Sequence, residues 1–137
     1  MKTVFADAGY WIALQNPRDE LHDRAKQVSR DLGAARLLTS ELVFAEVLNG
    51  LSGHGAELRY STADFVRRLR ENKNVSIEPM STRLFLDALD FYALHRDKEW
   101  GFVDCASFVV MNRSGVREAL AYDSHFEQAG FIALLRS

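Results

Sequence analysis

The chain has 137 residues, the length of one domain, and we read residues 1–137 as one unit. With 47% apolar and 26% charged residues it falls outside the disordered and low-complexity classes, and no apolar window approaches the ~18 residues of a membrane span. A net charge of −2 excludes a protein that coats nucleic acid through bulk positive charge, so any contact with a polyanion must come from a local patch or a metal site.

In chain order, residues 2–6 (KTVFA) read as a first strand ending at Asp7, and residues 8–15 as a short helix. Asn16-Pro17 punctuates the chain before a helix over 19–32 that closes at Gly33. Residues 35–39 read as a second strand. Ser40 caps a helix over 41–51, and Gly53-His54-Gly55 is a loop. A helix over 56–71 with a basic outer face follows, then a strand over 75–78 stopped by Pro79. Ser81 opens a helix to His95, with Leu84, Phe85, Ala88, Leu89, Phe91 and Tyr92 facing inward. After a loop at 98–103 comes an apolar helix over 104–113, then a strand over 117–122 ending at Asp123. Ser124-His125-Phe126-Glu127 has the capping-box pattern, and residues 131–135 form a last strand. Strands alternating with helices predict an α/β fold: a mostly parallel, twisted sheet of four to five strands with helices on both faces. The opening MKTVFADAGYW lacks the unbroken apolar core of a secretory signal, and the single Cys105 suits a reducing compartment, so a cytoplasmic location is expected.

Four acids stand in or at the end of apolar runs. Asp7 ends VFAD and Asp123 ends LAYD, at strand termini where parallel sheets build sites. Glu46 lies in ELVFAEVLNGL, a helix with almost no polar face, which predicts that it is partly buried. Asp104 sits between Gly101-Phe102-Val103 and the apolar run from Cys105 to Met111. A buried carboxylate costs several kcal/mol unless paired, protonated or metal-bound. Each acid alone has an ordinary reading: helix caps for Asp7 and Asp104, a turn for Asp123, and an ion pair of Glu46 with Arg36 or Arg59. As a set at one sheet edge they point to a shared site. Clustered carboxylates must take up protons or cations, and an all-oxygen donor set suits Mg²⁺ or Mn²⁺. Such a centre predicts hydrolytic phosphoryl chemistry that needs no histidine base or serine nucleophile.

Taken with their flanks, Asp7 in TVFADAGYWIAL, Glu46 in LLTSELVFAEVLNGL, Asp104 in EWGFVDCASFVVM and Asp123 in ALAYDSHFEQAGF resemble the four acidic motifs of PIN-domain ribonucleases. The type they resemble most is the small VapC-like toxin of type II toxin–antitoxin pairs. The resemblance implies a PIN-like three-layer fold and a Mg²⁺- or Mn²⁺-dependent endoribonuclease cutting single-stranded RNA to a 5′-phosphate and a 3′-hydroxyl. It implies Asp7, Glu46 and Asp104 as central metal ligands, with Asp123 as a ligand or as the residue that positions the water. It also implies a homodimer and a cognate VapB-like antitoxin that blocks the site. Val103 and Ala121 occupy places where many relatives carry hydroxyl residues, and His125 stands where some carry a further acid. Ser107, one turn after Asp104, and Ser124, beside Asp123, are the hydroxyls available instead.

The rest of the sequence adds less. His22, His54, His95 and His125 show no metal spacing, and His125 alone is placed to touch substrate. Cys105 reads as a small core residue, and Tyr10 and Trp11 as core or dimer-interface aromatics. Arg67, Arg70 and Lys73 are either a solvated face or an RNA backbone contact. Two alternatives remain: a catalytically weak or silent PIN fold that only binds partners, and a phospho-acceptor receiver domain. The receiver lacks its paired acids after the first strand, since Asp7 stands alone, and its acid after the third, where Glu78 meets Pro79.

Overall fold

A computed structural model describes residues 1–136. The strands are β1 (Thr3–Ala6), β2 (Arg36–Ser40), β3 (Val75–Glu78), β4 (Glu118–Leu120) and β5 (Ile132–Ala133). The helices are α1 (Ala8–Gln15), α2 (His22–Leu32), α3 (Glu41–Leu51), α4 (Ala56–Glu71), α5 (Thr82–Leu94), α6 (Phe102–Ser114) and α7 (Ser124–Gln128). All five strands run parallel, in the order β3-β2-β1-β4-β5. The chain steps outward from β1 through β2 to β3, then returns to the other side of β1 for β4. Right-handed crossovers in opposite directions put helices on opposite faces of the sheet. The aromatic core divides accordingly. Trp11 packs against Tyr10, Phe44 and Phe65 at centroid distances of 5.1, 6.0 and 5.7 Å. Phe108 packs against Trp100, Phe126 and Phe131 at 5.1, 5.0 and 5.5 Å. The central strand carries Val4, Phe5 and Ala6 fully buried, as a strand covered on both faces requires.

Ser40 closes β2 and caps α3, its hydroxyl accepting from Val43 N at 3.1 Å; Ser81 caps α5 through Leu84 N at 3.0 Å. Several boundaries differ from the sequence expectation. α2 starts at His22 rather than 19, because the Asn16 and Asp19 side chains hold residues 16–21 in turns by accepting from Arg18 N and Leu21 N. α6 starts at Phe102, with Gly101 at its N-cap, so the expected loop at 98–103 is shorter. β4 and β5 are three and two residues long. The capping box at Ser124 is not formed: Asp123 is the N-cap of α7 and accepts from His125 N at 2.9 Å.

The largest departure lies on α5. Leu84 and Ala88 are buried and Phe91 is half-buried, but Phe85, Leu89 and Tyr92, expected inward, are exposed with Leu86 and Leu94. The apolar stripe of this helix is wider than the core it covers, and the excess faces outward.

Candidate active site

β1 and β4 are neighbours, but their connections leave in opposite directions. Such a switch point opens a crevice beyond the carboxyl ends of the strands. Asp7 follows β1 there. It is the N-cap of α1, yet its carboxylate makes no cap hydrogen bond to the helix, while Asp7 N donates to the Leu120 carbonyl of β4 at 3.1 Å. Thr39 buttresses this strand end, donating its hydroxyl to the Ala6 carbonyl at 2.9 Å and accepting from the Trp11 indole at 3.3 Å. Asp123 stands beyond β4, at the start of α7. Asp104 is in the first turn of α6, where the Gly101 N–H supports its carboxylate, and Glu46 projects from the middle of α3.

These four acids, separate in sequence, line one cleft of about 570 Å³, together with Ser124, Tyr122 and Arg136. Glu46 is exposed at the rim rather than partly buried: α3 buries Val43, Phe44, Val47 and Leu51 and turns Glu46 away with Ala45 and Leu48. Among the described residues no ion pair joins Asp7 or Glu46 to a lysine or arginine, so the suggested pairing of Glu46 with Arg36 or Arg59 is not made. The energetic consequence falls on the innermost acid. Burial pushes the Asp7 carboxyl up to about 7, with Asp104, Glu46 and Asp123 adding repulsion, against the lowering effect of the Ala8 N–H. The Glu46 carboxyl is raised by desolvation on its cleft side and then by Asp104 and Asp123. Asp104 is raised by burial, which outweighs the lowering influence of a hydrogen bond to His125.

His125 is the residue that sequence reasoning underweighted. Its Nδ1 is hydrogen-bonded with Asp104 Oδ2 at 3.0 Å and lies 3.4 Å from Asp123 Oδ1. Ligand atoms of Asp104, Asp123 and His125 fall within 4.8 Å of one another, a spacing that can hold a cation. The bond to Asp104 raises the His125 pKa, despite partial burial. The pattern D-S-H-F, with histidine two residues beyond a strand-terminal acid, was the available signal. Arg136 had none, because only the fold carries it from the far end of the sequence to this cleft.

The remaining expected residues separate. Ser124 lines the cleft. Ser107 is buried, and among the described residues its hydroxyl has no hydrogen-bond partner and braces no acid. Arg67, Arg70 and Lys73 are exposed on or just beyond α4 and do not line the cleft; Arg70 pairs with Glu41 at 3.2 Å. Tyr10, Trp11 and Cys105 are core residues.

A parallel five-stranded sheet with four carboxylates gathered at its switch point defines a PIN-type nuclease fold. The chain belongs to the PIN-domain family, whose model matches residues 4–132. It is similar to VapC20 of Mycobacterium tuberculosis, described as a 23S rRNA-specific endonuclease: in strains CDC 1551 / Oshkosh and H37Rv alike, identity is 31% over 132 residues, covering 94% of this chain and 95% of the relative. The crystal structure of that VapC20, described as a sarcin–ricin loop cleaving toxin, superposes with a TM-score of 0.83 at 30% identity, covering 94% of this chain and 96% of the other.

Proposed function

We propose that this protein is a divalent-metal-dependent endoribonuclease toxin of the VapC type, with ribosomal RNA as its substrate class. The observation that carries the proposal is the convergence of Asp7, Glu46, Asp104 and Asp123 on one cleft where the deepest acid has no cationic partner and titrates near 7. That is an electrostatic deficit which a hard cation relieves, and the donors are oxygens, as Mg²⁺ or Mn²⁺ requires. Asp7, Glu46 and Asp104 would hold the ion, with Asp123 as a fourth ligand or as the group orienting the attacking water. When bound, the ion supplies a Lewis acid that acidifies water and offsets charge growing on the phosphate. Asp123, with a half-exposed side chain, is open to solvent, whereas Asp104 is braced by His125 and the Gly101 N–H. Ser124 offers a further hydroxyl beside Asp123. Hydrolysis of the P–O3′ bond leaves a 5′-phosphate and a 3′-hydroxyl.

The apolar stripe of α5 (Phe85, Leu86, Leu89 and Tyr92) is the surface on which we place the homodimer contact. A VapB-like antitoxin would occupy the acidic cleft, and the arginines of α4 with Lys73 would steer the RNA backbone from outside it. No helix among the described residues is long and apolar enough to cross a membrane, and the proposed site of action is the cytoplasm. The test is incubation of the purified protein with total RNA in Mn²⁺, Mg²⁺ or EDTA, followed by mapping of the RNA ends. Metal-dependent cuts in the large-subunit rRNA with ligatable 5′-phosphates are expected. Cleavage that persists in EDTA, or no cleavage with either metal, overturns the proposal.

A further inference from the structure

One rim of the acidic cleft is not built by carboxylates. Tyr122 and Arg136 both line it, and Arg136 is bonded to the Tyr122 backbone. Tyr122 follows three fully buried residues, Ala119, Leu120 and Ala121, and precedes Asp123, yet it is itself 49% exposed. The core has no need of this ring, and it sits beside the proposed reaction centre. Arg136 reaches it from the far end of the described chain. Its Nη1 donates to the Tyr122 carbonyl at 2.8 Å, its Nε forms an ion pair with Glu127 Oε1 at 3.0 Å, and its guanidinium carbon lies 5.0 Å from the centroid of the Tyr122 ring. A guanidinium has five N–H donors, and these contacts engage two of its nitrogens. The group is therefore oriented with donors to spare. Its partner Glu127 is half-exposed, and an exposed pair of this kind yields readily to a stronger anion.

A cleft of four carboxylates repels a polyanion, so a substrate phosphate needs a fixed cation at the entrance. Arg136 is the one arginine or lysine lining the cleft among the described residues. An exposed aromatic ring next to it supplies a stacking surface for an unpaired base. We propose that Tyr122 and Arg136 form a nucleotide subsite on the rim of the cleft, in which Tyr122 stacks on an unpaired base and Arg136 holds the phosphate beside the scissile bond. This rests on the ribonuclease reading of the same cleft. It makes Tyr122 and Arg136 substrate-positioning residues.

The experiment uses a fluorescein-labelled RNA hairpin carrying the sarcin–ricin loop. Cleavage is followed in Mn²⁺ and binding in EDTA over a range of salt concentrations. Tyr122→Ala and Arg136→Gln should each raise KM about tenfold with little change in kcat, since the lost contact is made equally before and during reaction. Tyr122→Phe should behave like wild type. Arg136→Gln should also flatten the salt dependence of binding by roughly 0.7 in the log–log slope, the signature of one lost single-strand phosphate contact, whereas Tyr122→Ala should leave the slope unchanged. Melting curves establish that each variant folds. If Arg136→Gln does not, Arg136→Lys keeps the charge but loses the planar fork, and it must still raise KM. An unchanged KM and slope in folded variants, or a loss confined to kcat, overturns the subsite while leaving the ribonuclease reading intact. A wild type that neither binds nor cuts the hairpin and also leaves large-subunit rRNA intact overturns both.

Discussion

Asp7→Asn isolates the electrostatic cost of the cleft. The Asp7 carboxyl titrates near 7 in the folded chain against 3.8 for an unperturbed group. Between these values the folded state holds a proton that the unfolded state has released. Stability therefore falls as pH rises from about 4 through about 7, and levels off above that. From pH 5 to pH 8 the metal-free wild type should lose about 3 kcal/mol through this group, at 1.36 kcal/mol for each pH unit over which the proton count differs. Asparagine has the same shape and cannot ionise, so the variant should not show this loss. Glu46 and Asp104, also raised, titrate in the same direction in both proteins, which makes the difference between the two curves the relevant quantity. Urea unfolding in EDTA at several pH values measures it directly, and in melting temperature it amounts to roughly 10 °C for a domain of this size. Parallel pH curves for the wild type and Asp7→Asn would refute the claim that Asp7 is buried without a cationic partner. The same variant should abolish RNA cleavage while folding normally.

Other parts of the structure give independent expectations. Mg²⁺ or Mn²⁺ at a hundredfold excess over its Kd should stabilise the wild type by about 2.7 kcal/mol, an effect missing in Asp7→Asn; calorimetric melting with and without EDTA checks this. Thr39→Val should cost about 1–3 kcal/mol in urea unfolding, because it strands the buried Trp11 indole N–H and frees the Ala6 carbonyl just before Asp7. Leu89→Glu, on the exposed stripe of α5, should convert a dimer to a monomer by light scattering without lowering the monomer's stability; a variant that remains dimeric moves the contact elsewhere.

The fold was legible wherever local chemistry decides it. Ser40 and Ser81 announce their helices because a hydroxyl in that position satisfies an amide the helix leaves bare, and Asp7 and Asp123 sit where short apolar strands stop. Reading failed where tertiary context decides. The periodicity of α5 shows which residues share a stripe, not how wide the core beneath it is, so it does not distinguish exposed Phe85, Leu89 and Tyr92 from buried Leu84 and Ala88. The apolar neighbours of Glu46 suggested burial, yet a helix lying on a sheet always has an outer side. The pattern D-S-H-F marks His125 as a neighbour of Asp123, but its nearness to Asp104, and that of Arg136 to Tyr122, depends on how α6, α7 and the segment after β5 meet, which local patterning does not show.

The pairing of β1 with β4 also bears on how the protein is made. β1 leaves the ribosome well before its partner β4, and the crevice between them, lined by Asp7, Asp123 and Arg136, has no walls until nearly all of the described chain has emerged. Pairings between such distant segments form slowly. A partial chain thus carries acids without the geometry that gathers them: the cleft needs β4, α7 and Arg136 beside β1 before its walls exist.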